Sequence, residues 1–596
     1  MNEVGEAAAG VDTVVVEIVK GALRSAQLEM ETLLARTAMS PFIREKKDFF
    51  CALFDDRTRL VAGTAIPLFG DMIAPIAEHY PLSTMRPGDL YWFNDCYASR
   101  GAVSHTPDQV FVAPVFAEEK LSGFAQSWAH FNDVGGLRPG SLSPDAVDIF
   151  QEGIIIPPIR LAREGVVNDE AIRIFTRNSR FPAMVTGDIR AAVAAVRLGE
   201  KRLGELFARF GRAAVLGAFD ASITETRGIV EARLREIFPD GRYRFTERID
   251  RDGHGNGSFA LRMSLSSEAG RLAIDAGESD DQAPGPINLV MSPDVPRIAL
   301  GIYALASEKA ALLNQGAIAA VEQVRTRQGS ILEPRFPAPL GQRGITLMRV
   351  MTTCLGLINV ATGGRGVASN NVYVIYYLRG RANAAGDKFL LTDGIAVGYG
   401  ARPFADGIDA VYLIANENYP AEFLDLSYPV RLLRYGINPD SGGPGRWRGG
   451  CGVVREIEVL AEEAMLSIRI DSVDNPPWGV AGGQSGRGGR CVVNPGRADE
   501  RVVVPMSDGT MLRRGDVLRI ETGGGGGHGH PFDRNPARVL RDVLGGFVSR
   551  ESARGDYGVA LSEQGREVDE GETARLRAVR AAPKLFHRGG YQDVLP

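Results

Sequence analysis

Two successive histidines of the sequence, both in short segments that are rich in turn-forming residues, each lie three residues before an aspartate. His105 and Asp108 occur in SHTPDQVFVAPVF, and His130 and Asp133 occur in SWAHFNDVGG. Imidazole nitrogens and carboxylate oxygens together suit one divalent first-row metal such as zinc, manganese or iron. Either segment alone would be an ordinary capped turn, but the two together predict a metal site with positions left open for water or substrate.

Two predicted strands bring these segments together. Residues 109–116 and 124–130 are both β-rich, and the short connection AEEKLSG joins them. Such a pair is expected to form an antiparallel hairpin. The outer ends of the two strands would then place His105 and Asp108 close to His130 and Asp133.

Two further carboxylates lie near the predicted site. Asp95 ends a strand-like segment, DLYWFND, and Glu152 lies in FQEGIIIPP. Each is a candidate for proton transfer or for holding a metal ligand in position, and so is Asp133. Turn capping is the alternative role, and the residues alone favour it for Asp95 and Glu152.

The surrounding elements predict an α+β protein with a large, multi-layer mixed fold. Apolar positions recur at helical spacing over residues 12–38 and again over 187–219. Residues 49–63 are typical of a β-hairpin, and residues 243–274 of antiparallel strands. The N-terminal part is therefore expected to carry the long helices, and the glycine-rich C-terminal part to be mainly β.

These patterns divide the chain into four predicted units. They are an N-terminal α+β domain with the metal site, a central α/β domain, a mainly β, Gly-rich domain and a C-terminal tail, over residues 1–235, 236–415, 416–545 and 546–596.

Composition narrows the class of protein. The net charge of -5 over 596 residues gives no reason to expect nucleic acid or an anionic membrane as a partner. The five cysteines are widely spaced without a CxxC pair, which is typical of reduced thiols in a cytoplasmic protein. No signal peptide or membrane span is expected. The run GGGGGHGHP lacks the lysine and following helix of a phosphate-binding loop, so no ATP site is expected in this chain.

Many segments along the chain resemble the hydantoinase B/oxoprolinase family. They include SPFIREKKDFFCALFD, RPGDLYWFND, SHTPD, AHFNDVGGLRPGS, FQEGIIIPPIRL, NYPAEFLDLSYPV, PDSGGPGRWRGGCGVVRE, GGGGGHGHPFDRNP and GGFVSRESARGDYGVAL. The resemblance implies that His105, Asp108 and His130 occupy metal-ligand positions, and that Asp133 is the family's aspartate before Gly-Gly. It also implies a hydantoinase A-type partner subunit with an actin-like fold, which holds ATP and Mg²⁺.

The chain departs from the family's common pattern close to the predicted ligands. Common members have NDPYxGGTHLPD, whereas this chain has NDCYASRGAVSHTPD, with Cys96 in place of the proline. Phe131 stands where common members have a second histidine. The predicted metal ligands are retained although their surroundings differ, which leaves the substrate open.

Three functions follow from the resemblance and the residues. The first is the metal-binding catalytic subunit of an ATP-dependent hydrolase that opens a cyclic amide such as a hydantoin, 5-oxoproline or a lactam. The second is a subunit of an ATP-dependent ketone carboxylase of the acetone or acetophenone type. The third is a metal-free scaffolding subunit, against which the two His/Asp pairs argue.

Overall fold

A computed structural model describes residues 12–63, 70–308, 312–413 and 416–588. The described residues form a mixed α+β fold, as predicted. Their α-helices are α1 Thr13–Thr37, α2 Pro41–Arg44, α3 Ala74–His79, α4 Asp169–Asn178, α5 Pro182–Phe210, α6 Arg212–Ile237, α7 Asp294–Leu305, α8 Gln315–Ile318, α9 Arg343–Thr362, α10 Ala421–Ser427, α11 Pro536–Leu544, α12 Arg550–Gly555 and α13 Glu570–Arg577.

The strands are distributed along the whole described chain. They are β1 Phe49–Asp55, β2 Leu60–Ala62, β3 Leu90–Phe93, β4 Asp108–Ala117, β5 Lys120–His130, β6 Ile159–Arg163, β7 Val166–Val167, β8 Gly241–Ile249, β9 Phe259–Glu268, β10 Arg271–Asp275, β11 Gln323–Arg325, β12 Val374–Arg381, β13 Lys388–Ile395, β14 Val430–Ile437, β15 Val453–Val459, β16 Glu463–Arg469, β17 Gly479–Val480, β18 Arg490–Val493, β19 Arg501–Val503, β20 Ser507–Arg513, β21 Val517–Glu521, β22 Ala560–Leu561, β23 Val568–Asp569 and β24 Phe586–His587.

The first seven strands form one antiparallel sheet in the order β2-β1-β5-β4-β3-β6-β7. The predicted hairpins β1–β2 and β4–β5 are both confirmed. Helices α1 and α5 pack against each other and α5 packs on β4 and β5. Because both faces of β4 are covered along most of its length, its residues from Asp108 to Val115 are buried without alternation.

The second predicted helical region is confirmed, with a break inside it. Residues 187–219 are helical apart from Gly211, where two long helices meet. Gly211 has φ +79°, a backbone conformation that glycine adopts without steric cost, and its N–H ends α5 on the carbonyl of Phe207. The apolar periodicity continues across the break, so it does not reveal where the helix ends.

The remaining larger sheets are built from strands between Gly241 and Glu521. Their strand orders are β11-β10-β9-β8, β13-β12-β16-β20 and β14-β15-β21-β18-β19. Helix α9 packs against β8 and β9 in the main core. Among the described residues, α9 is the one helix long and apolar enough to cross a membrane, but 78% of its most apolar window is buried inside the protein, as in the core helix of a globular protein.

The glycine-rich segment 523–529 is buried between neighbouring backbone segments. The N–H of Gly526 donates to the carbonyl of Ser369 at 2.9 Å, and a side chain at Gly526 would meet the carbonyl of Trp478 at 1.9 Å. Glycine is therefore required there for close backbone packing, in keeping with the prediction that this run is not a phosphate-binding loop.

Two large hydrophobic clusters form most of the core. One joins α1, α5 and α6 to the first sheet. The other includes residues from β1 near the N-terminus to Phe586 in β24, and so connects parts of all four predicted units. The boundaries of those units stay a prediction.

Candidate metal centre

The hairpin β4–β5 places two of the predicted metal ligands directly opposite each other. Asp108 opens β4 and pairs with His130, the last residue of β5. His105 lies in the turn that precedes β4, where its carbonyl accepts the N–H of Asp108 at 3.1 Å. All three side chains are buried.

Three side-chain atoms converge in this turn. His105 Nε2 lies 2.7 Å from Asp108 Oδ1, His130 Nδ1 lies 3.3 Å from the same oxygen, and the two nitrogens are 3.1 Å apart. Two ligands about 2.1 Å from one ion are about 3.0 Å apart at a right angle and about 3.4 Å apart at a tetrahedral angle. The triangle therefore has the dimensions of one face of a metal coordination sphere.

The charge states of the site suit a metal. Burial, together with the charge of Arg343, lowers the pKa of His105 to about 3, so its imidazole is neutral at physiological pH. Burial alone would raise the pKa of Asp108, but the two imidazoles and Arg343 hold it well below its usual range. A neutral imidazole beside an ionised carboxylate is the form in which both residues bind a divalent cation.

Arg343 and Ser104 hold the second oxygen of Asp108. Arg343 lies at the start of α9, and its guanidinium is 3.4 Å from Asp108 Oδ2 and donates to Ser104 Oγ at 2.8 Å. Ser104 Oγ in turn donates to Asp108 Oδ2 at 3.2 Å. These contacts leave Oδ1 to face the imidazoles. The sequence analysis missed Arg343, because 235 residues separate it from Asp108.

Asp48 is a second carboxylate at the centre that the sequence analysis missed. It directly precedes β1, whose Phe49 pairs with Ala129, and its carbonyl accepts the N–H of His130 at 3.0 Å. Burial raises the pKa of Asp48, and the charge of His130 opposes this rise. The sequence does show an aspartate directly before a predicted strand. Placing that aspartate near His130 requires knowing that β1 pairs with β5.

The chain before Asp48 is anchored by a buried lysine. Lys46 Nζ donates to the carbonyl of Gly394 at 2.8 Å and lies 2.5 Å from Asp393 Oδ1. The carbonyl of Lys46 accepts the N–H of Glu417 at 3.0 Å. These contacts fix the segment that carries Asp48 to β13 and to the loop before α10.

Glu152 supports the turn that leads into Arg343. Its carboxylate accepts the N–H groups of Leu340 at 2.9 and 3.0 Å and of Gly341 at 2.6 Å. Its carbonyl accepts the hydroxyl of Thr106 at 2.6 Å, which is next to His105. Burial raises the pKa of Glu152 to about 8, although the two N–H groups oppose the rise.

Asp95 and Asp133 are occupied by local contacts. Asp95 Oδ1 accepts the N–H groups of Tyr97 and Ala98, which is the geometry of a capped turn. Asp133 accepts five hydrogen bonds, including 2.9 Å from the N–H of Arg180 and 3.0 Å from its guanidinium. The structure thus brings His105, Asp108 and His130 together. The five hydrogen bonds of Asp133 come instead from Gly135, Gly140, Ser179 and Arg180.

The fold and this centre define a mixed α+β protein with a buried site of two histidines and one aspartate. A sequence model of the hydantoinase B/oxoprolinase family matches residues 12–531. The chain therefore belongs to the hydantoinase B/oxoprolinase family, and the resemblance seen in its motifs is confirmed.

Several relatives match nearly the whole chain. It is 31% identical to the B-type component of a putative D-/L-hydantoinase from Pseudomonas sp. strain NS671, over 96% of this chain and 98% of that protein. It is 30% identical to the beta chain of caprolactamase from Pseudomonas jessenii, over 95% and 99%.

Solved structures show the same fold. The crystal structure of ATP-dependent caprolactamase from Pseudomonas jessenii superimposes with a TM-score of 0.83 at 27% identity, covering 96% of this chain and all of that one. A nucleotide-free acetone carboxylase structure superimposes with a TM-score of 0.80 at 20% identity, over 95% and 82%, which establishes a shared fold.

Proposed function

We propose that this chain is the metal-binding catalytic subunit of an ATP-dependent enzyme that opens a cyclic amide such as a hydantoin, 5-oxoproline or a lactam. The observation that carries the proposal is the buried triangle formed by His105, Asp108 and His130. Relatives named as components of a hydantoinase and of a caprolactamase support the cyclic amide as substrate class. A metal-free scaffolding subunit would have no need for three converging ligands.

The three ligands would hold one divalent zinc, manganese or iron ion. Such an ion supplies Lewis acidity and an activated water for attack on the carbonyl carbon. The two imidazoles provide nitrogen donors, Asp108 provides one negative oxygen, and Arg343 keeps the other oxygen turned away. We assign proton acceptance to Asp48, because it is a further carboxylate close enough to interact electrostatically with His130 and Asp108.

The other candidate carboxylates would act by holding the site in shape. Asp133 anchors Arg180 and the Gly-Gly turn, Asp95 caps the turn after β3, and Glu152 holds the turn before Arg343. Replacing Asp48 by asparagine should lower kcat by about 100-fold or more at retained metal content, since general bases contribute on this scale. A larger loss in Asp95→Asn or Asp133→Asn than in Asp48→Asn would contradict this assignment.

Activation of the substrate would take place on a partner. An unstrained amide needs a driven leaving group, which phosphoryl transfer supplies. We propose that a hydantoinase A-type partner holds ATP and Mg²⁺ and phosphorylates the substrate, and that the pair works in the cytoplasm. The five free, buried cysteines are in keeping with that compartment.

Carboxylation of a ketone is the second candidate, because the same ion and the same partner would serve it. The identity to proteins named as components of a hydantoinase and of a caprolactamase favours the amide. The test is to co-express this chain with a hydantoinase A-type subunit and to measure ADP release with hydantoins, lactams and ketones. We expect ring opening that needs ATP but not bicarbonate, whereas turnover that needs both a ketone and bicarbonate would replace the proposal by its alternative.

A further inference from the structure

One buried arginine next to the metal centre forms no ion pair with any carboxylate of the described residues. Eight arginines are buried in the described part of the chain, and seven of them form ion pairs with carboxylates. The exception is Arg469, which is 2% exposed at the end of β16. The paired arginines are Arg343, Arg349, Arg379, Arg448, Arg455, Arg534 and Arg588.

The partners of Arg469 are neutral. Its guanidinium donates to Gln342 Oε1 and to the Tyr373 hydroxyl, the latter at 3.4 Å, and lies 5.1 Å from the centre of the Tyr373 ring. Its Nε has no hydrogen-bond partner among the described residues. A buried cation without an anion is costly, so proteins retain one mainly where an anion comes to it.

A second unsatisfied polar group lies on the same face of the sheet. Arg469 pairs with Ile375 of β12, so Tyr377, two residues further along β12, points to the same side as Arg469. The Tyr377 hydroxyl is buried and has no hydrogen-bond partner in the described part of the protein. Burial raises the pKa of Tyr377, the charges of Arg469 and Arg343 oppose the rise, and the charge of Asp48 adds to it, so the hydroxyl lies in the electrostatic field of all three groups.

Arg469 is connected to the metal centre through consecutive residues. Gln342 accepts the hydrogen bond of Arg469, and the next residue, Arg343, contacts Asp108. With a divalent ion bound, two guanidinium groups and the ion would outweigh the charge of Asp108 and that of Asp48. The neighbourhood would therefore carry a net positive charge that a buried anion would balance.

We propose that Arg469 and the Tyr377 hydroxyl form a buried oxyanion-binding site beside the metal centre, which takes the phosphoryl group of the activated substrate or the carboxylate group of the product. The proposed function enters only through the identity of that substrate, because a phosphorylated amide carries the first group and a ring-opened product can carry the second. The planar guanidinium and the phenolic O–H are both donors suited to such oxygens.

The test is equilibrium dialysis of the full chain with radiolabelled orthophosphate and, separately, acetate. We expect one of these anions to bind to the wild-type chain, and Arg469→Met to bind it at least about 10-fold more weakly, as for loss of a charge-assisted hydrogen bond. Tyr377→Phe should weaken the binding of the same anion by a smaller factor than Arg469→Met does. Stronger binding of orthophosphate points to the phosphoryl group, and stronger binding of acetate to a carboxylate.

Two further variants make the test specific. Arg379→Met removes another buried arginine of the same sheet, one that is paired with Asp508, and should leave anion binding unchanged. His105→Ala, which loses the charge of the ion, should bind the anion more weakly than the wild type but more strongly than Arg469→Met, because the guanidinium and the Tyr377 hydroxyl remain. In an anion-poor buffer, Arg469→Met should unfold at no lower temperature than the wild type, because it removes an unpaired buried charge. Absence of anion binding by the wild type, or equal binding by Arg469→Met, would overturn the proposal.

Discussion

At the scale of single residues, Asp108 divides its two oxygens between two environments. Oδ1 faces both imidazoles, while Oδ2 faces Ser104 and Arg343. Residues that orient a ligand commonly change metal affinity by about 10- to 100-fold when they are replaced. Arg343 should therefore control metal affinity without contacting the ion.

We expect Arg343→Met to weaken metal binding by about 10- to 100-fold, because Asp108 Oδ2 loses its cationic partner and the carboxylate can turn. Arg343→Lys keeps the charge and should recover part of the affinity. Competition with a chromogenic chelator measures the metal affinity of both variants, and circular dichroism confirms that they are folded. Wild-type affinity in Arg343→Met would show that Asp108 needs no such support.

Local sequence predicted part of the centre. His105, Asp108 and His130 lie on one hairpin, so their proximity follows from strands that are adjacent in sequence. Asp48 and Arg343 come from distant segments, and their contacts depend on how β1 and α9 pack. Residue spacing cannot predict such contacts, because the sequence around Arg343 contains no pattern that places it near Asp108.

At the scale of elements, periodicity predicted the amphipathic helices and failed for the buried one. Helix α1 has a buried stripe that includes Val19, Leu23, Met30 and Leu34, and its predicted bounds are confirmed. Helix α9 is buried on nearly all sides, so its sequence has no polar face to reveal the helical period.

Helix α1 also carries a carboxylate whose burial makes stability depend on pH. Burial raises the pKa of Glu31 to about 7, against hydrogen bonds from Gln27 and from the N–H of Cys51. From about pH 4.5 to about 7 the folded state binds more protons at Glu31 than the unfolded chain does, so stability falls as pH rises through this range. Above about pH 7, Glu31 is ionised in the folded state and the full loss of stability from its burial is present.

Glu31→Gln should remove that penalty. We expect the variant to be more stable than the wild type by about 2 kcal/mol at about pH 8 and nearly equal to it at about pH 4.5. Chemical denaturation at the two pH values measures the difference, and Glu17→Gln, at an exposed position of the same helix, is the matched control. An equal gain at both pH values would contradict the assigned cause.

At the scale of the whole molecule, the metal centre depends on segments from distant parts of the chain. β1, the β4–β5 hairpin, β13 and the start of α9 all contribute, and the larger hydrophobic cluster joins them. The fold class was predictable because helical and strand patterns are local, whereas the shared core arises from long-range packing. We expect the full chain to be needed for a complete site.

The isolated chain should be folded, because it has its own large hydrophobic core. It should be inactive, because its sequence contains no recognisable phosphate-binding loop that would hold ATP. We expect calorimetric titration with Mg-ATP to give no micromolar binding, and the chain to elute as a stable complex when it is co-expressed with an A-type partner. Stable interfaces of this kind commonly bury roughly 2,000 Å² or more. ATP-independent opening of a cyclic amide by the chain alone would instead make it a simple metallohydrolase.

The central claim is that His105, Asp108 and His130 bind one divalent metal, and the metal content of the purified chain tests it most directly. Elemental analysis should find about one zinc, manganese or iron ion per wild-type chain, as expected for a single three-ligand site. His105→Ala should lose most of this metal while keeping its fold, and His79→Ala, an exposed histidine in α3, should keep both. A folded wild-type chain that takes up no divalent metal, or a His105→Ala chain with the full wild-type content, would contradict the account.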